Sequence, residues 1–193
     1  MAPGTGKMLV VRHGETDWSR DGRHTGRTDV PLSAAGEEQA RQLAAELASW
    51  DPVLVLSSPL QRALRTAELA GLESEVDDDL AEWDYGVYEG RTTAEIRDTG
   101  GDRGWSVWTS PAGLGESLDD VARRAADVLE RCRPVLEDGG DVVLVSHAHL
   151  LRILTARWLG LPPRAGEKLV LEPAGTGVLG HERETPVLLR WNA

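Results

Sequence analysis

Met8-Leu9-Val10-Val11-Arg12-His13-Gly14-Glu15-Thr16 decides how this chain folds. Four apolar residues in unbroken succession suit a strand buried on both faces of a parallel sheet. The run stops at a basic pair and a glycine, as a strand does when it delivers side chains to the rim of a sheet. In open α/β sheets, ligands bind at the carboxyl ends of the strands. An imidazole there can act as nucleophile or base, and the guanidinium beside it is a fixed cation suited to phosphate. A surface turn that carries Arg and His fits the same residues, so the rest of the chain has to decide.

Two more short apolar runs end in the same way. Val53 to Leu56 stops at Ser57-Ser58-Pro59, and Val142 to Val145 stops at Ser146-His147. Helical patterns lie between them. Ser33 is a good N-cap for a helix with Ala40, Leu43, Ala44 and Leu47 on one face. Leu60 to Ala70 reads as a helix with Ser58 as its cap, Pro59 at its first position and Gly71 closing it. Ser117 caps a longer helix to about Leu136, with Leu118, Val121, Ala125, Val128, Leu129 and Cys132 along one face. His149 to Leu159 reads as a helix. Val76 marks a short weak strand. Leu169 to Leu171, Val178 to His181 and Val187 to Trp191 read as strands at a sheet edge. Alternating strands and helices predict an α/β fold: one domain, three layers (α/β/α), with a mostly parallel central sheet.

The polar stretches are candidate pocket walls. Asp17 to Pro31 is turn-rich and follows a strand end, so it is expected to be a loop. Asp77 to Asp79 is expected to be a solvated turn and not a metal site. Ala81 to Gly90 is acidic, aromatic and glycine-bearing. A short helix is expected near Thr93 to Arg97. Thr99 to Gly115, with Trp105 and Trp108, is a long loop of the kind used as a lid.

Composition narrows the function. The chain has 193 residues and a formal net charge of −11, which argues against nucleic acid or an anionic membrane as partner. No apolar run is long enough to span a bilayer. Met1 to Lys7 lacks the apolar core of a signal peptide, and residues 1–6 are expected to be a flexible lead. The single cysteine, Cys132, suits a reducing cytoplasm and a core position. If the substrate is anionic, local arginines must attract it.

Such arginines are present. The first strand end supplies Arg12 and His13, the third His147, and the helix after the second strand carries Arg62 in its first turns. Neighbouring parallel strands lie about 5 Å apart, so these groups can converge on one anion. Two arginines and two histidines can neutralise the equatorial oxygens of a phosphoryl group in transfer.

These residues, in this order, resemble the histidine phosphatase (phosphoglycerate mutase-like) superfamily. The likeness rests on Arg12-His13-Gly14-Glu15-Thr16, Thr25-Gly26, Leu32-Ser33-Ala34-Ala35-Gly36, Ser57-Ser58-Pro59-Leu60-Gln61-Arg62-Ala63, Glu82, Gly115-Glu116-Ser117 and Ser146-His147, and runs from about Met8 to Leu159. It implies that His13 attacks phosphorus and becomes a phosphohistidine, while Arg12, Arg62 and His147 hold the phosphoryl oxygens. It makes Glu82 the general acid for the leaving oxygen and then the base for water. A carboxylic acid can protonate an alkoxide at the needed moment only in a suitable environment, and Trp83 and Tyr85 could desolvate it. Thr25 and Gly26 would add a hydroxyl and a backbone donor, with Ser19, Ala148 and Tyr85 as further substrate contacts.

The chain departs from the family pattern at Ala148, where glycine is usual, at Ser19, where mutases have asparagine, and at His24, where an aromatic or aliphatic residue is usual. His24 is expected to be an exposed loop residue. Glu82-Trp83-Asp84-Tyr85-Gly86 and the Trp105–Trp108 loop resemble the phosphatase branches, bacterial acid phosphatases above all, with sedoheptulose-1,7-bisphosphatase more distant. The expected activity is hydrolysis of phosphomonoesters of small metabolites, with phosphoglycerate mutase or sugar bisphosphatase as alternatives and a non-catalytic phospho-ligand binder disfavoured. A metal hydrolase built on His147-Ala148-His149 lacks further ligands, and a Cys-based phosphatase fails because Asp138, not arginine, stands six residues after Cys132. No cofactor and no metal are called for. The expected partner is a small phosphorylated metabolite, and the oligomeric state, a homodimer included, is left open.

Overall fold

The computed structural model describes residues 6–100, 103–110, 113 and 115–192. Six strands form one mixed sheet: β1 (Met8–Arg12), β2 (Pro52–Ser57), β3 (Glu75–Val76), β4 (Asp141–Ser146), β5 (Thr176–Glu182) and β6 (Thr185–Trp191), in the order β3-β2-β4-β1-β5-β6. β3, β2, β4 and β1 are mutually parallel, whereas β5 and β6 complete the other edge antiparallel to their neighbours. The expected α/β/α layering is what the chain adopts, and its physical basis is the alternation of side chains along the central strands. Leu9, Val11, Val143 and Val145 face a core shared with α2 (Ala34–Leu47) and α3 (Gln61–Leu69). Met8, Val10, Val142 and Leu144 face the opposite core, shared with α5 (Leu118–Glu137) and α6 (Ala148–Trp158). Both faces are covered, which is why these strands read as continuous apolar runs. Cys132 is fully buried in the second core, as expected.

Several elements differ from expectation. The stretch after β1 is not all loop: α1 (Asp17–Arg20) forms because Thr16 and Ser19 make a reciprocal capping box. Ser58 does not cap α3. The N-cap is Leu60, the Gln61 N–H donates instead to Asp29 Oδ1 at 2.8 Å, and Ser58 is engaged by His147. Leu169 to Leu171 does not pair as a strand, because its carbonyls serve side chains: Val170 accepts from Trp191 Nε1 and Leu171 from Arg12. The acidic run is more than a solvated turn. Asp77 caps a 3₁₀ turn (Asp78–Leu80) and, with Asp79, holds Arg131. α4 (Thr93–Gly100) takes in the start of the expected long loop. The lid expected there falls partly outside the described residues. So do residues 1–5 of the expected flexible lead, while Gly6 is buried against Leu136 and Gly140.

The exit from β1 is locked by backbone contact. A Cβ on Gly14 would lie 2.3 Å from the Gly36 carbonyl oxygen, and one on Gly36 would lie 2.0 Å from that of Glu15. Only glycine at both positions lets the start of α2 sit against the segment that carries His13. Thr66 of α3 finishes the junction, accepting from Gly14 N at 3.1 Å and donating to the Arg62 carbonyl at 2.7 Å.

Candidate active site

The ends of β1, β2 and β4 meet. Arg12 is in register with Ser146 and Ser57 with Val145, and His13 N donates to the Ser146 carbonyl at 2.9 Å. This places the His13 and His147 rings 5.0 Å apart, centroid to centroid. The His13 Nδ1 faces the Gly14 carbonyl at 2.7 Å. A carbonyl can only accept, so Nδ1 carries the proton and Nε2 keeps its lone pair. Burial, then the positive charges of Arg62 and Arg12, push the His13 pKa well below the ordinary imidazole value. The result is a neutral, oriented imidazole among cations.

Arg62 is fully buried and held on three sides: Nε donates to His147 Nδ1 at 3.2 Å, one terminal nitrogen to the Thr28 carbonyl at 2.9 Å, the other to that of Gly26 at 2.8 Å. His147 therefore carries its own proton on Nε2 and donates it to Ser58 Oγ at 2.7 Å. Both of its ring nitrogens are engaged within the protein. Gly26, likewise, offers Arg62 its carbonyl. The structure thus brings His147 and Gly26 beside the site as partners of Arg62. Arg12 anchors one terminal nitrogen on the Leu171 carbonyl at 2.6 Å. Burial lowers the pKa of both arginines, and neither forms an ion pair with a carboxylate among the described residues.

Glu82 sits opposite, nearly buried. Its Oε1 accepts from Trp83 N and Leu150 N, both at 3.0 Å, and its Oε2 from His149 N at 3.2 Å. Its two carboxyl oxygens thereby cap backbone donors at the N-terminus of α6. The segment before it is tied down by Arg124, which donates to the Asp79 and Ala81 carbonyls and is gripped by both oxygens of Glu116. Within Gly115-Glu116-Ser117, Glu116 does this, while Ser117 caps α5.

These groups line a cavity of about 240 Å³. Arg12, His13, Arg62 and Glu82 share it with Ser19, Thr25, Tyr85 and Ala148. Ser19 spends its hydroxyl on the α1 capping box. Among the wall residues not expected there are His24, His149, Arg152 and Glu172. His24 is not an exposed loop residue. It packs 4.9 Å from the Tyr85 ring and 5.4 Å from that of Trp105, and burial lowers its pKa to about 4. His24, Tyr85 and Trp105 come from three separate segments of the chain, which no local pattern reveals. The Tyr85 hydroxyl lies 2.6 Å from His149 Nδ1; burial holds Tyr85 protonated and His149 neutral. Trp105 is core, and Trp108 backs His149 and Trp83 from behind. Among the described residues no cluster of His, Cys, Asp or Glu could hold a metal.

The family model of the histidine phosphatase superfamily, branch 1, matches residues 8–193. This chain belongs to that superfamily. As a histidine phosphatase it is 44% identical over 180 residues to an acid phosphatase of Mycobacterium tuberculosis, across 91% of this chain and 87% of that one. It is 32% identical over 186 residues to sedoheptulose 1,7-bisphosphatase of Saccharomyces cerevisiae, across 81% and 69%. Its fold matches the structure of a Mycobacterium tuberculosis open reading frame with a TM-score of 0.90 at 40% identity, covering 97% of both chains. A mycobacterial glucosyl-3-phosphoglycerate phosphatase in complex with VO3 matches at 0.83 and 33%, over 97% of this chain and 99% of that one. The phosphatase assignment expected from the motifs holds.

Two results are expected from this geometry. Glu89 accepts from Arg27 N at 2.8 Å and Thr28 N at 2.9 Å, and so sets the Gly26 and Thr28 carbonyls that orient Arg62. Glu89→Ala should lower kcat/KM about 10- to 100-fold by misplacing Arg62, with Glu89→Gln recovering part of the loss in steady-state assays. Stability should depend on four histidines. His13, His24, His147 and His149 all have folded pKa values below the ordinary 6.5. Below pH 6.5 the unfolded chain binds protons that the folded one refuses, so stability falls on acidification. For His24 the loss spans pH 6.5 to about 4. Each such histidine contributes a slope of about 1.4 kcal/mol per pH unit in its window. Denaturant midpoints measured from pH 7.5 to 5 should fall steadily; a flat profile would contradict the assigned neutral rings.

Proposed function

We propose that this histidine phosphatase hydrolyses phosphomonoesters of small metabolites through a phosphohistidine at His13, without metal or cofactor, in the cytoplasm. The observation that carries the proposal is the single orientation of His13: Nδ1 is held by a carbonyl, and the lone pair on Nε2 is left among Arg12, Arg62 and Glu82. Nε2 attacks phosphorus as the ester P–O bond breaks, and Glu82 gives its proton to the departing alkoxide. Arg12 and Arg62 neutralise the equatorial oxygens, and His147 keeps the Arg62 plane in position. Glu82, now a carboxylate, takes a proton from water; the oxygen attacks phosphorus, the P–N bond breaks, and phosphate leaves with His13 restored. Thr25, Ser19, Ala148 and Tyr85 shape the wall against the substrate.

The size of the cavity suits a small metabolite, and the net charge of −11 keeps polyanions away. Among the described residues no helix is long and apolar enough to cross a membrane. The single cysteine, buried and with its pKa raised to about 12, is unreactive and consistent with a reducing compartment. Trapping tests the chemistry. Turnover quenched in alkali should leave a phosphoryl mass increment on the peptide holding His13; an unmodified peptide under saturating substrate would refute a covalent intermediate. Phosphate release from p-nitrophenyl phosphate should survive EDTA, and loss of activity on chelation would point to metal chemistry instead.

A further inference from the structure

The phosphoryl chemistry uses Arg12 and Arg62 but leaves two further arginines on the cavity wall, Arg23, which pairs with Glu95, and Arg152. Arg152 lies one helical turn after Ala148 on α6, and both residues face the cavity. One turn is about 5.4 Å of axial rise, so Arg152 stands that much farther from the helix end where Glu82 and His147 sit. Its guanidinium is immobilised: Nε donates to the Gly166 carbonyl at 2.9 Å, Nη2 to that of Glu167 at 3.0 Å, and its carbon lies 4.9 Å from the Trp108 ring centroid.

No carboxylate among the described residues forms an ion pair with it. Glu167 turns its own carboxylate to Lys168 and Arg164, and Glu82 spends both oxygens on backbone donors. Burial lowers the Arg152 pKa, and the charges of Glu82 and Glu167 offset this only from beyond ion-pair distance; bracing the Pro163–Lys168 turn would need only neutral donors. Among the described residues the remaining nitrogen, Nη1, makes no hydrogen bond, and the side chain lies on the cavity wall.

We propose that Arg152 anchors a second anion subsite, and that the preferred substrates are compact phosphomonoesters bearing a second anionic group, carboxylate or phosphate, a few bonds from the ester. The inference rests on the phosphatase reading above and specifies the substrate class for the same site. The planar fork matches either group bidentately.

Two matched pairs of substrates test it: 3-phosphoglycerate against glycerol 3-phosphate, and propane-1,3-diol bisphosphate against its monophosphate. The wild-type enzyme should favour the second charge in at least one pair by kcat/KM, and the pair with the larger preference tells carboxylate from phosphate. Arg152→Gln should reduce that preference about 10- to 100-fold, the range expected for a lost charged hydrogen bond. Arg152→Lys, which keeps the charge without the fork, should retain part of it and decides the matter if the Gln variant does not fold. A wild type without preference in either pair, or a preference that survives both substitutions, overturns the subsite. Failure of the wild type to release phosphate from any of the four compounds would sink the phosphatase reading itself.

Discussion

Replacing His13 with alanine is expected to lower kcat by about 10⁴-fold or more, the scale seen when a covalent nucleophile is removed. The side chain makes one hydrogen bond, to the adjacent Gly14 carbonyl, so the variant should melt close to the wild type. The loss would therefore be chemical. The adjacent histidine cannot take its place. The nearby His147 has one nitrogen facing Arg62 and the other donating to Ser58, and neither offers a free lone pair to phosphorus. Initial rates on p-nitrophenyl phosphate, together with a thermal melt, check the prediction. Rates close to wild type in a folded variant would remove His13 from the mechanism.

Glu82→Gln should slow hydrolysis of alkyl phosphates about 10²- to 10³-fold, yet slow p-nitrophenyl phosphate less than about 10-fold, because nitrophenolate leaves without a proton. Glutamine retains one acceptor oxygen for the backbone donors that Glu82 serves at the start of α6. Part of the cap survives, and the stability cost stays near about 1 kcal/mol. A comparison of glycerol phosphate with p-nitrophenyl phosphate on one enzyme preparation separates the effects. Equal losses on the two esters would mean that Glu82 only caps the helix.

The layering of the fold was legible because burial on both faces writes itself into β1, β2 and β4 as unbroken apolar runs, and because Ser33 and Ser117 announce their helices with capping side chains. Cys132 was placed correctly for the same reason, by its position on one face of α5. The failures share a cause. Ser58 looked like a cap, but its hydroxyl was claimed by His147, 89 residues away, and Asp29 took over the Gln61 donor. Leu169 to Leu171 had strand-like residues, yet their carbonyls were committed to Arg12 and Trp191. Long-range partners overrode local propensity in each case.

At the site, Arg12, His13 and Arg62 were legible from strand ends and the helix that follows one of them, whereas Glu82 came only from the resemblance to the superfamily. The amino-acid sequence by itself determined which elements form, which faces they bury and which side chains emerge at the carboxyl edge of the sheet, because periodicity and capping are local. Only the tertiary structure decided that His147 and Gly26 serve Arg62, that Glu82 closes α6, and that His24, His149, Arg152 and Glu172 join the cavity wall. Those assignments depend on how strands β1, β2 and β4 lie side by side and on which loops cross above them, and hydrogen bonds between groups dozens of residues apart leave no periodic trace in the chain.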